Sequence, residues 1–269
     1  MALNACAVTK YTALFTGAFK SRLVYRLSTI TGIFSSGIFL FIQYSLWKTL
    51  ISTGIRQDVS LKDMIAYIMI TTAAGALSRG DIANQLGAAI RDGSVTGFLL
   101  QPMSFRLYQF SSMLGGNCYA FLTSALPVII GGCVLIGVPA PPSIRHAVFS
   151  ILITLTGVLI KFEIIYIFGL LAFWTQSTWF IDWYVDAAVS LFGGTLIPLW
   201  FYPEGLEKIT RFLPFRYISF EGVNSYLGRI SPDGMAQSLG MALGWWLVLY
   251  GAGKLLWFAA RKKLTLNGG

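Results

Sequence analysis

Six apolar stretches divide this chain, and each is long enough, or nearly long enough, to cross a lipid bilayer. A hydrocarbon core about 30 Å thick requires roughly 20 residues of helix to span it. Because no water is present in that core, the backbone has to form its own hydrogen bonds, so the stretches are expected to be helices. They cover residues 28–47, 64–77, 107–136, 147–174, 179–200 and 235–260. The sequence therefore predicts an all-α integral membrane protein with six transmembrane helices.

The composition agrees with one membrane domain, residues 1–269, rather than with a soluble protein. Charged residues make up 12% of the chain and hydrophobic residues 55%, whereas soluble domains have about 25% charged residues. The net charge of +9 is compatible with nucleic-acid binding, but the basic residues lie beside the apolar stretches. That position is typical of the cytoplasmic ends of membrane helices. We therefore expect a lipid bilayer and no nucleic acid as a partner, with both basic termini in the cytoplasm.

The N-terminal segment, residues 1–26, has the spacing of an amphipathic helix. Tyr11, Leu14, Phe15 and Phe19 recur at intervals of three and four residues, with basic side chains such as Lys20 alongside. Apolar and basic residues arranged in this way favour a helix lying at the membrane interface. We expect such an interface helix on the inner surface.

Residues 80–105, between the second and third stretches, are more polar and predict a cytoplasmic helix. Ile82, Leu86 and Ile90 fall four residues apart and form one apolar face. Gly93, after Asp92, is a plausible helix stop. Such a helix can transmit force from a soluble partner into the membrane helices, or it can simply connect them. Periodicity alone favours the simple connection.

The segment after the fifth stretch, residues 201–232, predicts two short helices that re-enter the membrane from outside. Leu206, Ile209 and Leu213 form a helical stripe, and Pro203 and Pro214 interrupt the backbone. Aromatic residues in the same segment are typical of a membrane interface. The sequence leaves open whether this segment is a gate or a cap over the helix ends.

Four charged residues lie at membrane depth. Lys161 and Glu163 are in the middle of the fourth stretch, and Asp182 and Asp186 share one face near the start of the fifth. Charges in the membrane are costly and are candidates for a transport pathway. Lys161 and Glu163 point in different directions, so each is expected to pair with a neighbouring helix or subunit, while Asp182 can also lie at the water boundary. The three carboxylates raise the hypothesis of a cationic substrate.

The chain contains no motif of a familiar catalytic or nucleotide site. A phosphate-binding loop of the type G-x-x-x-x-G-K-[ST] is absent, as are the nucleophile elbow and the zinc-protease motif. The single histidine, His146, has no cluster of potential metal ligands beside it in the sequence. We expect no catalytic residue, no metal and no cofactor in this chain, and any energy for its work to come from a partner.

Two segments resemble the ABC-2 type permeases, more narrowly the branch that works as paired, non-identical permeases. The first is AAIRDGSVTGFLLQPMS, residues 88–104, and the second is GGTLIPLWFYPEGLEKITRFLPFRYISFEGVNSYLGRIS, residues 193–231. The resemblance extends over essentially the whole chain. Gln101 departs from the pattern, because relatives often carry a basic residue there.

The resemblance implies a permease subunit of an ABC exporter in a bacterial plasma (inner) membrane. It implies a second six-span permease and cytoplasmic ABC ATPase subunits, which bind ATP and Mg²⁺ themselves. By this resemblance, the ATPase-coupling residues are Ile90, Arg91, Asp92, Gly93, Leu99, Gln101 and Pro102, and the outer re-entrant helices are shaped by Pro198, Pro203 and Pro214. A membrane scaffold or sensor that recruits a partner without transport is the alternative.

Overall fold

The computed structural model describes residues 2–24, 26–53, 59–100, 103–175 and 178–267. Within these ranges the chain is built of helices and turns, with no strand. The first half contains α1 Ala2–Leu23, α2 Arg26–Ser52, α3 Leu61–Leu77, α4 Ile82–Arg91, α5 Val95–Leu100, α6 Phe105–Ala120 and α7 Leu126–Ile136. The second half contains α8 Ile144–Leu170, α9 Ile181–Phe192, α10 Glu204–Arg211, α11 Phe220–Tyr226 and α12 Pro232–Asn267.

Four helical segments are long and apolar enough to cross a membrane, judged by length and composition within the described residues. They correspond to the first, third, fourth and sixth predicted stretches. Their bounds are Thr29–Ser52, Phe105–Val134, Ile144–Phe173 and Pro232–Lys263. The predicted all-helical fold is therefore confirmed for the described residues, with four candidate membrane spans, whereas the count of six stays a prediction.

The third of these segments is one continuous helix with a π-helical turn, Phe121–Ala125, between α6 and α7. Pro127 lies just after this turn, at the start of α7. Because proline has no N–H to donate to the preceding turn, the α-helical hydrogen-bond ladder is interrupted there. Gly137, at φ 77°, ends α7 in the left-handed conformation that favours glycine.

The second predicted stretch is a 17-residue helix, α3, which begins at Leu61 rather than Met64. A capping box fixes this start, since the side chains of Ser60 and Asp63 each accept from the other's backbone N–H. At the other end, the Asn117 side chain donates to the carbonyls of Leu77 and Arg79. The helix is short because both ends are capped by polar groups.

The fifth predicted stretch is only partly helical, and its predicted end at Trp200 was wrong. Helix α9 ends at Phe192, and Gly194 has φ 71°. Tyr67 of α3 donates a hydrogen bond to the Gly194 carbonyl at 2.5 Å, which fixes the turn. Glycine is required at position 194, because a Cβ there would lie 2.9 Å from the Tyr67 hydroxyl.

Helix α8 lies at the centre of the bundle and packs against α12, α11 and α4. Its residues Ile153, Ile160 and Ile165 are fully buried. Gly157 allows the segment after α10 to approach closely, since a Cβ at this position would lie 2.5 Å from the Tyr217 carbonyl oxygen. The outer segment is therefore held directly against the central helix.

Helix α1 lies alongside the first half of α6, and the two run in the same direction. Tyr11 accepts from the backbone N–H of Ser104 at 3.0 Å, and the Phe19 ring meets Tyr119 edge to face at 5.4 Å. A helix is thus present in the predicted segment, whereas its place at the membrane interface stays a prediction. Its predicted apolar stripe is half-buried against α6, because α6 presents the small residue Gly115 to the α1 backbone.

Candidate functional site

An open cleft with both apolar and polar lining, which we call the polar cavity for its hydroxyl and charged groups, lies between α2, α3, α8 and α9. Its volume is about 630 Å³. Hydroxyl groups line it from Ser35, Ser36, Thr71, Thr72, Ser190 and Thr195. Polar groups of this kind in a membrane helix bundle face a cavity or a partner rather than lipid. This cavity is therefore the candidate functional site.

An ion pair between α8 and α9 forms one wall of the polar cavity. Lys161 Nζ lies 2.9 Å from Asp186 Oδ1. The Lys161 side chain is only 8% exposed, whereas that of Asp186 is 55% exposed and faces the cavity. A buried ammonium requires a partner, and Asp186 supplies it. Lys161 therefore pairs with a neighbouring helix of the same chain, as expected.

Arg79 lines the same polar cavity at the end of α3. With Lys161 and Arg79 as cations and Asp186 as the one carboxylate among the described lining residues, the wall carries a net positive charge. Asp182 and Glu163 do not line it. The hypothesis of a cationic substrate therefore loses the support that the three carboxylates gave it, because Asp186 is already neutralised and the other two are elsewhere.

Asp182 lies at the N-terminus of α4 rather than in the polar cavity. Its carboxylate oxygens accept hydrogen bonds from the backbone N–H groups of Ala83, at 3.3 Å, and Asn84, at 3.1 Å. The side chain of Asp182 therefore caps α4 from another helix, as an N-cap residue does from within. Four residues further along α9, Asp186 reaches the polar cavity. Helix α9 thus contacts α4 through Asp182 and forms part of the cavity wall through Asp186.

Glu163 lies on the opposite side of α8, against α6 and α12. Its Oε2 is 3.5 Å from the Arg106 guanidinium, which also donates to the Tyr250 carbonyl at 3.0 Å. The same guanidinium lies 4.1 Å above the Tyr250 ring. A Cβ at Gly253 would collide with Arg106, at 2.5 Å, so glycine makes room for it. Glu163 therefore joins three helices, and its predicted place in a pathway stays a prediction.

The predicted coupling residues Ile90 and Arg91 end α4, and Asp92 and Gly93 form the turn after it. Ile82, Ala83 and Leu86 are buried, and Ile90 packs against the same core, whereas Arg91 is exposed.

Gly93, at φ 78°, follows the end of α4 as predicted. The side chain of Asp92 accepts from the Ser94 N–H at 2.9 Å, and its hydrogen bonds with Ser94 lower the pKa of this exposed carboxyl. The turn therefore displays a carboxylate at neutral pH. Leu99 lies in α5, but its side chain is not described. Gln101 and Pro102 lie outside the described residues.

Each predicted proline of the outer segment precedes or begins a helical turn. Pro198 precedes the 3₁₀ turn Leu199–Phe201, Pro203 precedes α10, and Pro214 begins a second 3₁₀ turn. Proline suits these positions because a backbone N–H there would have no partner in the turn, and proline has none to leave unpaired. An ion pair between Arg216 and Glu221, at 2.5 Å, links this second turn to α11.

Sequence reasoning missed the hydroxyl residues of the polar cavity and Arg79. A signal for them was available, since serine and threonine recur within the apolar stretches where leucine or valine would be cheaper to insert. Ser35 and Ser36 lie in α2, and Thr71 and Thr72 lie in α3. Which of these residues meet in space depends on helix packing, so the sequence alone does not reveal the cavity.

Comparison with known proteins identifies a family. The model of a family described as "ABC-2 family transporter protein" matches residues 25–268. No curated protein and no solved structure matches the chain.

Proposed function

The chain belongs to the ABC-2 family of transporter proteins, and we propose that it is the permease subunit of an ATP-driven exporter. In this proposal it forms a translocation path with a second, non-identical permease, and cytoplasmic ABC ATPase subunits bind ATP and Mg²⁺ and supply the energy. The observation that carries the proposal is the polar cavity with its Lys161–Asp186 ion pair. Such groups inside an apolar bundle are costly, and a path for a polar solute accounts for them.

Six passages through the membrane fit the contacts at the two ends of the bundle. At one end, the Phe105 ring stacks on Trp257 at 4.8 Å. At the other end, the Trp47 ring lies 5.1 Å from Phe201. We place the first end in the cytoplasm of a bacterial cell, because the basic cluster that follows Trp257 lies there. The outer segment then covers the periplasmic end.

Coupling to the ATPase is proposed to pass through α4 and α9. The α4–α5 turn displays Arg91 and Asp92 for a soluble partner. Movement of α4 is transmitted by the Asp182 cap to α9, and by Asp186 on the same helix to the polar cavity. This chain of contacts gives the docked ATPase a route to the path.

Two variants separate docking from transmission. We expect Asp92→Ala to reduce the amount of ATPase that co-purifies with the chain, because it removes an exposed charge of the docking turn. We expect Asp182→Ala to leave co-purification intact but to reduce ATP-dependent transport several-fold, because two N–H groups of α4 lose their acceptor. Full transport by the Asp182→Ala variant would contradict the proposed route.

The composition of the complex tests the proposal as a whole. The tagged chain is purified in mild detergent, and the proteins that accompany it are identified by mass spectrometry. We expect an ABC ATPase and a second six-span permease, and ATP-dependent solute transport when the complex is placed in vesicles. Co-purification of an ATPase without any transport would instead favour the alternative function, a membrane scaffold or sensor.

A further inference from the structure

A second, smaller cavity lies where α1 and α6 meet the turn between α3 and α4. Its volume is about 290 Å³. We call it the α1–α6 cavity. Its lining is mostly polar, in contrast to the apolar grooves elsewhere on the bundle. The polar groups that the argument uses come from Arg22, Arg79, Asp81 and Gln109.

Two arginine side chains line the α1–α6 cavity without a carboxylate partner. Among the described residues, neither Arg22 nor Arg79 forms an ion pair. Asp81 also lines the cavity, but its Oδ1 accepts from the Asn84 side chain at 2.8 Å. The cavity therefore has a net positive charge and two guanidinium groups able to bind an anion.

Gln109 adds a neutral polar group to the lining of the α1–α6 cavity. This residue is only 6% exposed, and its side chain makes no hydrogen bond to any other described residue. The amide remains open to the cavity, so water or a bound anion can accept its hydrogen bond. The Gln109 amide provides a donor beside the two cations.

The α1–α6 cavity is held open by close helix packing. Gly115 brings the α1 backbone onto α6, because a Cβ there would overlap the Phe15 carbonyl oxygen. On the adjacent Gly116, a Cβ would lie 3.5 Å from Arg22 Nε, so the guanidinium lies across α6 at this point. The Arg22 side chain is exposed, and it lies close enough to α6 to line the cavity.

The α1–α6 cavity lies beside the end of α3 and the start of the apolar part of α2, while the apolar segment Phe105–Val134 runs past it. Helix α3 ends at Leu77, just before Arg79, and the apolar segment of α2 begins at Thr29, shortly after Arg22. With these two helix ends taken as the membrane boundary, the cavity lies close to the lipid phosphates. A phosphate group is therefore the anion that the cavity meets at highest concentration.

We propose that the α1–α6 cavity binds the phosphate group of an anionic phospholipid, with Arg22 and Arg79 as the cationic contacts and Gln109 as a neutral donor. Arginine suits this role because its fork of N–H groups matches phosphate oxygens. The proposal requires a membrane protein but not transport, although Arg79 also lines the polar cavity. A lipid bound here would fix α1 and α6 to the end of α3.

The test uses the purified full chain in detergent, with thermal unfolding as the readout. Short-chain phosphatidylglycerol, short-chain phosphatidylcholine and inorganic phosphate are titrated separately. We expect phosphatidylglycerol to raise the unfolding temperature at the lowest concentration. Loss of either arginine, in Arg22→Gln or Arg79→Gln, is expected to weaken binding about tenfold, since a hydrogen bond to a charged group is worth about that factor. Lys20→Gln is the control, because Lys20 is exposed on the same helix and does not line the cavity.

Each outcome decides the proposal. Selective weakening in the two arginine variants, with Lys20→Gln like the parent, supports it. Equal weakening in all three variants would assign the effect to general surface charge and overturn it. Inorganic phosphate that binds as tightly as phosphatidylglycerol would assign the site to a free anion rather than to a lipid. Native mass spectrometry of the same variants then checks whether bound phospholipid is lost with Arg22.

Discussion

At the scale of single residues, Lys161 and Asp186 have unequal surroundings. The lysine is nearly buried, whereas the aspartate is half-exposed in the polar cavity. Removal of the carboxylate leaves a buried ammonium without a partner, but removal of the ammonium leaves a carboxylate that water can reach. The two residues therefore contribute to stability in an asymmetric way.

We predict that Asp186→Asn lowers the free energy of unfolding by about 1–3 kcal/mol, below the full value for a buried pair because Asp186 is half-exposed. Lys161→Met is predicted to lower the free energy of unfolding by less, because the carboxylate that remains is reached by water. The double variant should recover most of the loss, which a double-mutant cycle of unfolding in detergent would measure. Additive losses in the double variant would mean that the pair does not stabilise the fold.

At the scale of elements, the packing of α1 against α6 depends on Gly115, the first of two adjacent glycines in α6. A Cβ at Gly115 would overlap the α1 backbone, which cannot rotate away as a side chain can. A Cβ at Gly116 would make only an ordinary contact with Arg22. The two positions therefore differ in what they tolerate, although they are neighbours on one helix.

We predict that Gly115→Ala destabilises the protein by about 1–3 kcal/mol, because α1 has to move away from α6. Gly116→Ala, the matched control, is predicted to be neutral or slightly stabilising, since alanine favours helix more than glycine does. Limited proteolysis within α1 and thermal unfolding would measure both effects. Identical behaviour of the two variants would show that α1 does not pack as described.

At the scale of the whole molecule, the bundle has two chemically different ends. One end holds α4, the turn after α8 and the last part of α12. The other holds the outer segment with α10 and α11 and the loop before α8, where Tyr226 donates to the Pro139 carbonyl at 3.0 Å. In the function that we propose, the first end lies in the cytoplasm and the second in the periplasm.

We predict opposite labelling of these two ends by a maleimide that does not cross the inner membrane. In a background without native cysteines, Lys208→Cys in α10 should react in cells with a permeable outer membrane. Arg91→Cys in α4 should react only after the inner membrane is broken. Both positions are exposed, so access to reagent rather than burial is compared. Labelling of Arg91→Cys in unbroken cells would invert the orientation.

The sequence by itself determined the features that depend on neighbouring residues. Apolar length and spacing predicted the long helices, the helix over Ile82–Arg91 and its stop at Gly93. Proline positions predicted the breaks in the outer segment. Such signals are local, because a helix forms hydrogen bonds within its own turns and glycine or proline changes the backbone where it stands.

Only the tertiary structure decided which charges meet and where α9 ends. Asp182 and Asp186 share one helix face, yet one caps α4 and the other pairs with Lys161. Helix α9 ends early because Gly194 is fixed by Tyr67, a residue of a distant helix. Coulombic and hydrogen-bond partners are chosen by helix packing, which brings together groups far apart in the chain. The polar cavity and the α1–α6 cavity exist for the same reason.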